Sequence, residues 1–464
     1  MISFDKINQF DPVYQFFNWF FRIDHNYIYY KEIQVIGYEN VPPKGYPVFA
    51  ISNHSNSVMD PLALLYLYKD HRQPVFVARG DVFKKSEFIA KLLRFLKILP
   101  TFRSRDGGRE DVRSNLDTFD LAARVLDEGG TLTMYPEAGH QAGRFFSTFK
   151  KGFPRIAFRA AEKADFQLDF KILPIYIYYS DFFNMRAKQV VVIGEPFAID
   201  EFYDLYKAEP NKAFLAMNEK AREAVRRMGI DVVDQEHYPQ YAVIFHACRS
   251  LILTDPHAFD GMEVAGTLAD RDPKRPYAAM LSDKKVTALL EQLSTDDPEA
   301  YRQLMDETEE YRAGLYRLRL RDWLFERPVT GAAVLGRALL LLLTVPIFLV
   351  GAVGNLLPFK APELLKRNLK DPMFKSTLNF VPSIVIFFPL WYIILFTVLC
   401  ICSTWWIGLL GIVAALLTLI PFYEWKKAFV KWCGMLRFRR YARKKLPSFE
   451  RLKILRAKIR GIVK

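Results

Sequence analysis

Apolar residues fall in short runs through the first half of the chain and in long ones near its end. Gly45 to Ser52, Pro74 to Ala78, Thr131 to Tyr135, Lys171 to Tyr179 and Gln189 to Gly194 read as short strands bounded by glycine, proline or polar clusters. Between them, Pro61 to Lys69, Ser86 to Leu96, Val112 to Glu128 and Phe153 to Lys163 carry a helical pattern. This alternation predicts an α/β fold, a mainly parallel sheet flanked by helices, over residues 30–200. In such sheets catalytic groups gather at the carboxyl ends of strands. Residues 1–29 crowd Phe10, Phe16, Phe17, Trp19, Phe20 and Phe21 into one segment. Such a segment fits a helix lying in a membrane interface, core packing being the other reading.

Residues 201–330 are charged and helical in pattern, a linker region in which no chemistry is legible. Glu307 to Arg321 mixes both signs of charge as a solvated helix face does. Residues 331–425 are membrane-like. Ala338 to Leu357, Phe380 to Ile401 and Trp405 to Tyr423 each approach the roughly 20 apolar residues that cross a bilayer. Trp405 and Trp406, where the second and third runs meet, suit an interface belt, and those two runs form an expected hairpin. Pro346, Gly351 and Gly354 interrupt the first run, which fits a span and a re-entrant or interfacial segment equally. Lysines and arginines from Lys360 to Lys375 and from Lys426 to Arg443 flank the hairpin. That pattern puts both flanks, and the basic tail 426–464, on the cytoplasmic side.

The formal net charge is +14, from 65 Lys and Arg against 51 Asp and Glu, which calls for a polyanion nearby. Because the basic residues concentrate beside the apolar runs, lipid headgroups are the expected one and nucleic acid is not. The four cysteines include no CxxC pair, so neither a disulfide framework nor a zinc site is expected, and the seven histidines are scattered. Met1 to Phe21 lacks a basic start followed by an apolar stretch, so no signal peptide is expected. The absence of GxSxG, P-loop and strand-linked GxGxxG sequences speaks against a serine hydrolase or a nucleotide enzyme.

Candidate chemistry begins where the first long strand ends. Ala50 to Pro61 reads AISNHSNSVMDP, with His54 after the strand and Asp60 where a helix would start. An imidazole with a downstream carboxylate is the minimal general-base pair: the ring takes a proton and the carboxylate fixes its tautomer. Taken bare, the pair fits a surface histidine and a helix-capping aspartate better.

The segment resembles the first signature of the glycerolipid acyltransferase superfamily, and three further blocks follow in order. Ile98 to Arg103 (ILPTFR), Tyr135 to His140 (YPEAGH) and Leu173 to Tyr176 (LPIY) are similar to the second, third and fourth, over roughly Tyr30 to Phe197. Five residues separate His54 from Asp60 where four are usual, so part of the segment must be loop if the pair is to meet. With Pro61 following, that spacing looks like the yeast-type glycerol-3-phosphate and dihydroxyacetone-phosphate acyltransferases. Ala138 stands where glycine is usual and His140 where arginine is common.

The resemblance implies a membrane-bound enzyme that moves a fatty acyl group from acyl-CoA or acyl carrier protein to a hydroxyl of glycerol-3-phosphate or lysophosphatidate. His54 would be the base and Asp60 its partner; Arg103, Glu137, Gly139 and Arg144 would hold the acceptor's phosphate. No cofactor or metal is implied. The catalytic domain would be cytoplasmic, at a bacterial inner membrane or the endoplasmic reticulum. The rival expectation is an inactive lipid-binding or membrane-remodelling protein on the same fold.

Overall fold

A computed structural model describes residues 6–84, 86–101, 109–140, 143–263, 265–367, 369 and 374–463. Seven strands make one sheet: β1 (Glu32–Ile36), β2 (Val48–Ser52), β3 (Val75–Arg79), β4 (Ile98–Thr101), β5 (Thr131–Met134), β6 (Lys171–Tyr179) and β7 (Lys188–Ile193). Their order is β1-β7-β6-β2-β5-β3-β4. All pairs are parallel except β6 with β7. Every residue of β2 is buried, as expected of a central strand covered on both faces by helices.

The helices of this unit are α1 (Pro12–Ile23), α2 (Met59–Leu65), α3 (Glu87–Phe95), α4 (Arg109–Asp127), α5 (Gly152–Lys163), α6 (Tyr203–Ala208) and α7 (Pro210–Met228). Local chemistry starts them: the Asp11 carboxylate accepts from the Val13 and Tyr14 amides ahead of α1, and the Ser86 hydroxyl accepts from the Ile89 amide ahead of α3. α5 buries an almost complete apolar face, including Phe153, Ile156, Ala157 and Phe158. Phe49 of β2 meets Phe153 edge to face at 5.2 Å. The compact unit runs over residues 1–232 and 261–280. It therefore takes in α6 and α7, which the sequence pattern assigned to a separate linker. β1 was not anticipated as a strand, and β4 only as the strand-like apolar run ahead of Arg103.

Residues 233–260 and 281–464 form the second unit. Its helices are α8 (Tyr238–Thr254), α9 (Pro276–Asp296, whose first turn belongs to the sheet unit), α10 (Pro298–Arg317), α11 (Gly331–Leu343), α12 (Val345–Lys366), α13 (Phe374–Pro382), α14 (Phe388–Cys402), α15 (Trp405–Arg443) and α16 (Pro447–Arg460). Three apolar stretches, Val345–Lys366, Phe374–Cys402 and Trp405–Arg443, are long and apolar enough to cross a membrane. The run read from sequence as Ala338 to Leu357 is divided at Thr344 between α11 and α12, so the long helix is displaced toward the C-terminus.

Candidate active site

Three neighbouring strands of the sheet, β6, β2 and β5, deliver their carboxyl ends to one place. Beyond β2 the Asn53 side chain continues the pairing with β6. Its Oδ1 accepts from the Ile177 amide at 2.8 Å and its Nδ2 donates to the Ile177 carbonyl at 3.0 Å. The chain then loops until Met59 opens α2, reversing at Ser57, whose φ of 43° lies in the left-handed region. That loop accommodates the longer spacing. Asp60, in the first turn of α2, points back across it.

The Asp60 carboxylate is fully buried and collects four donors. Its Oδ2 lies 2.8 Å from His54 Nδ1 and accepts from the Ser55 and Asn56 amides at 2.8 and 2.7 Å. Its Oδ1 accepts from the Tyr179 hydroxyl at 2.7 Å. With two backbone amides and a phenol already donating to it, Asp60 meets His54 as an acceptor, which puts the imidazole proton on Nδ1. Nε2 is then the basic nitrogen, and the histidine side chain keeps 17% of its surface exposed. Burial, and secondly the Asp60 charge, raise the Tyr179 phenol well above its usual value, so it stays a donor.

The His54 ring stacks on Tyr135 at 4.3 Å with 19° between planes, and His140 meets it edge-on at 5.4 Å. From beyond β5, Glu137 reaches the same loop. Its Oε1 accepts from the His54 amide at 3.2 Å and its Oε2 from the Ser147 amide at 2.9 Å. This buried carboxylate ties the main chain of His54 to the third block. Burial pushes its pKa up to about 7, against the pull of those two amides. A role in gripping a phosphate was expected of Glu137; these hydrogen bonds to the His54 and Ser147 amides are a positioning role beside that expectation.

Gly139 faces open space at the position a Cβ would take. Arg144 lays its guanidinium over the Tyr178 ring at 4.6 Å and donates to the Tyr179 carbonyl at 3.3 Å, against β6. Arg103 lies outside the described residues, as does Arg105. Ala138, in the place where the family carries glycine, has a φ of 54°. A left-handed residue is where glycine costs least, so the backbone here accounts for the usual glycine, and Ala138 carries the strain of a Cβ in that conformation. Sequence reasoning missed Tyr179. It closes the fourth block's strand, and only the pairing of β6 with β2 brings it beside Asp60.

A family model described as Acyltransferase matches residues 32–178, which hold the dyad and all four blocks. Residues 32–178 are an acyltransferase domain. They sit where the sequence resembles the glycerolipid acyltransferase superfamily. Among solved structures the chain is similar to the crystal structure of the 1-acyl-sn-glycerophosphate (LPA) acyltransferase PlsC from Thermotoga maritima. The match has 19% identity and a TM-score of 0.31, and covers 47% of this chain and 83% of that one. No curated protein matches the chain. Among the described residues no group of His, Cys, Asp and Glu is placed to hold a metal ion.

Proposed function

We propose that the acyltransferase domain is active and moves a fatty acyl group from a thioester, acyl-CoA or acyl carrier protein, to a hydroxyl of glycerol-3-phosphate or of a lysophosphatidate. The observation that supports this reading is the His54 Nδ1 to Asp60 Oδ2 contact at 2.8 Å, with Nε2 left basic in an accessible ring. His54 Nε2 takes the proton of the acceptor hydroxyl as its oxygen attacks the thioester carbonyl. Asp60 holds the resulting imidazolium, which returns the proton to the departing thiolate. The ester forms and the thioester breaks without a covalent enzyme intermediate. An inactive lipid-binding role draws no support from a dyad so fully supplied with donors.

The protein acts at a membrane on this reading, with its catalytic domain on the side where thioesters are made, at a bacterial inner membrane or the endoplasmic reticulum. The exposed aromatic face of α1, with Phe16, Trp19 and Phe20 about half exposed, lies in the interface. Arg103 reads the acceptor phosphate by bidentate contact, so Arg103→Lys raises the acceptor's KM and leaves the donor's nearly unchanged. Incubating the purified full chain in vesicles with labelled acyl-CoA or acyl carrier protein and each acceptor, then separating the lipids, tests the whole reading. Acceptor-dependent labelled product supports it; donor consumption with free fatty acid as the sole product under every condition refutes it.

A further inference from the structure

Three full crossings by the three apolar stretches would leave α10 and α16 on opposite sides of a membrane. The two helices are packed together. Arg451 donates to Glu310 at 2.8 and 2.6 Å, Lys458 pairs with Glu307, and Arg456 lies buried between Asp322, at 2.8 Å, and Glu326. The number of crossings between Glu326 and Pro447 is therefore even, and one stretch turns back.

Contacts with α15 identify which one. α14 and α15 are an ordinary antiparallel pair joined at Ser403 and Thr404, with Gly408 against Phe396 and Cys400, and Gly411 against Leu399. α12 behaves differently. Phe348 stacks on Trp425 at 4.1 Å and lies 5.4 Å from Phe422; Gly351 meets Thr418 and Phe422; Gly354 meets Ala415. Five residues later Phe359 is again beside Phe422 and Tyr423, at 5.9 and 5.7 Å, and Lys360 and Glu363 are charged neighbours of Lys426. A straight helix would have carried Phe359 roughly 7 Å further from Phe422, past Ala415. α12 stays helical from Val345 to Lys366, so the change of direction is a bend within it between Gly354 and Phe359, where Pro358 denies the helix one amide and crowds the carbonyl of Gly354.

We infer that α12 is a re-entrant element seated in one leaflet, which enters and leaves the bilayer on the same side, so that the chain crosses twice rather than three times. The depths agree. Trp405 to Trp425 is long enough for about 30 Å of hydrocarbon, whereas Ala415, eleven residues from Lys426, lies about 16 Å in, near the midplane. Backbone that turns at that depth must be enclosed by protein. The enclosing groups are present: Asn355 Nδ2 donates to the Ala415 carbonyl at 3.0 Å and the Tyr392 hydroxyl donates to Asn355 Oδ1 at 2.8 Å, so both ends of a fully buried amide are used. A Cβ on Gly354 would sit 2.5 Å from that of Ala415, so glycine is what lets the apex approach α15. Leu349, Val353 and Leu357 remain more than half exposed, facing acyl chains.

The inference rests on the membrane reading but not on catalysis, and one experiment separates the two. Single cysteines at Arg327, Arg367, Ser403 and Ser448, in full-length protein whose four native cysteines are serine, are exposed to an impermeant maleimide in sealed, uniformly oriented vesicles. Leu369→Cys repeats the α12 exit should Arg367→Cys fold poorly. The expected pattern is reaction at 327, 367 and 448 from one side, with 403 protected there until detergent is added. Reaction of 367 only from the side of 403, with 327 and 448 divided between sides, overturns the re-entrant assignment in favour of three crossings. All four sites reacting from one side would overturn the crossings themselves.

Discussion

The loop after β2 and the apex of α12 solve the same problem with opposite results. In each, a change of chain direction is held by one fully buried polar side chain: a loop by Asp60 in the sheet unit, and a bend within helix α12 by Asn355 among the apolar helices. Asp60 spends three of its contacts on positioning and the fourth on His54, leaving a basic nitrogen turned outward. Asn355 spends its contacts on the Ala415 carbonyl and the Tyr392 hydroxyl. A buried polar group is thus a sign of function when its network ends on an accessible reactive atom, and a sign of architecture when the network closes on itself.

Tyr179→Phe should give the largest effect among changes that spare the dyad. It removes one hydrogen bond to a charged, buried oxygen, and a loss on the order of ten-fold in kcat follows if about half the value of such a bond is felt by the imidazolium state. The acid limb of the rate profile should move with it while the acceptor's KM stays put. A drop confined to KM, with no change in the profile, would show that Tyr179 serves the fold and not the base. Asn355→Leu sharpens the other side of the comparison. Its expected cost is about 1 kcal/mol of stability, read as a lowered thermal midpoint in detergent, with transfer per folded molecule retained. Lost transfer with an unmoved midpoint would erase the distinction between the two polar latches.

The Glu137 effect is smaller and depends on pH. Its carboxyl is raised by burial from the usual 4.5 to about 7, so the folded state holds a proton that the unfolded chain has released. That contribution to stability is fully present below about 4.5 and is lost as pH rises through about 7. Glu137→Gln cannot titrate, so the midpoint of the natural protein relative to the variant should fall between pH 5 and pH 8. A difference that is flat or rises across that interval contradicts the assignment.

How much of this was legible in the sequence follows from how local each cause is. The strands β2, β3, β5, β6 and β7 announce themselves because their apolar runs are buried by construction. β4 is four residues long and contains Pro100, tolerable because β4 is the sheet's edge. β1 carries the buried polar Gln34, whose side chain is satisfied by the Asp270 carbonyl and the Tyr277 amide more than two hundred residues away. His54 and Asp60 were found because ordered blocks follow them, and the loop between them because a helix could not bring them together. Glu137 was singled out with its block, but its hold on the His54 and Ser147 amides is visible only in the fold. Tyr179 depends on strand pairing, and the bend of α12 on contacts with α15; neither leaves a mark in an apolar run that reads alike whether it crosses or returns.

The role of His54 as the base is tested by replacing it with alanine in the purified full chain and following labelled acyl transfer to the preferred acceptor alongside thermal unfolding. The dyad predicts a loss of at least ~10²–10⁴-fold in turnover, the usual contribution of a general base, with unfolding and membrane association unchanged. Turnover like that of the natural protein in a correctly folded His54→Ala variant would contradict the account.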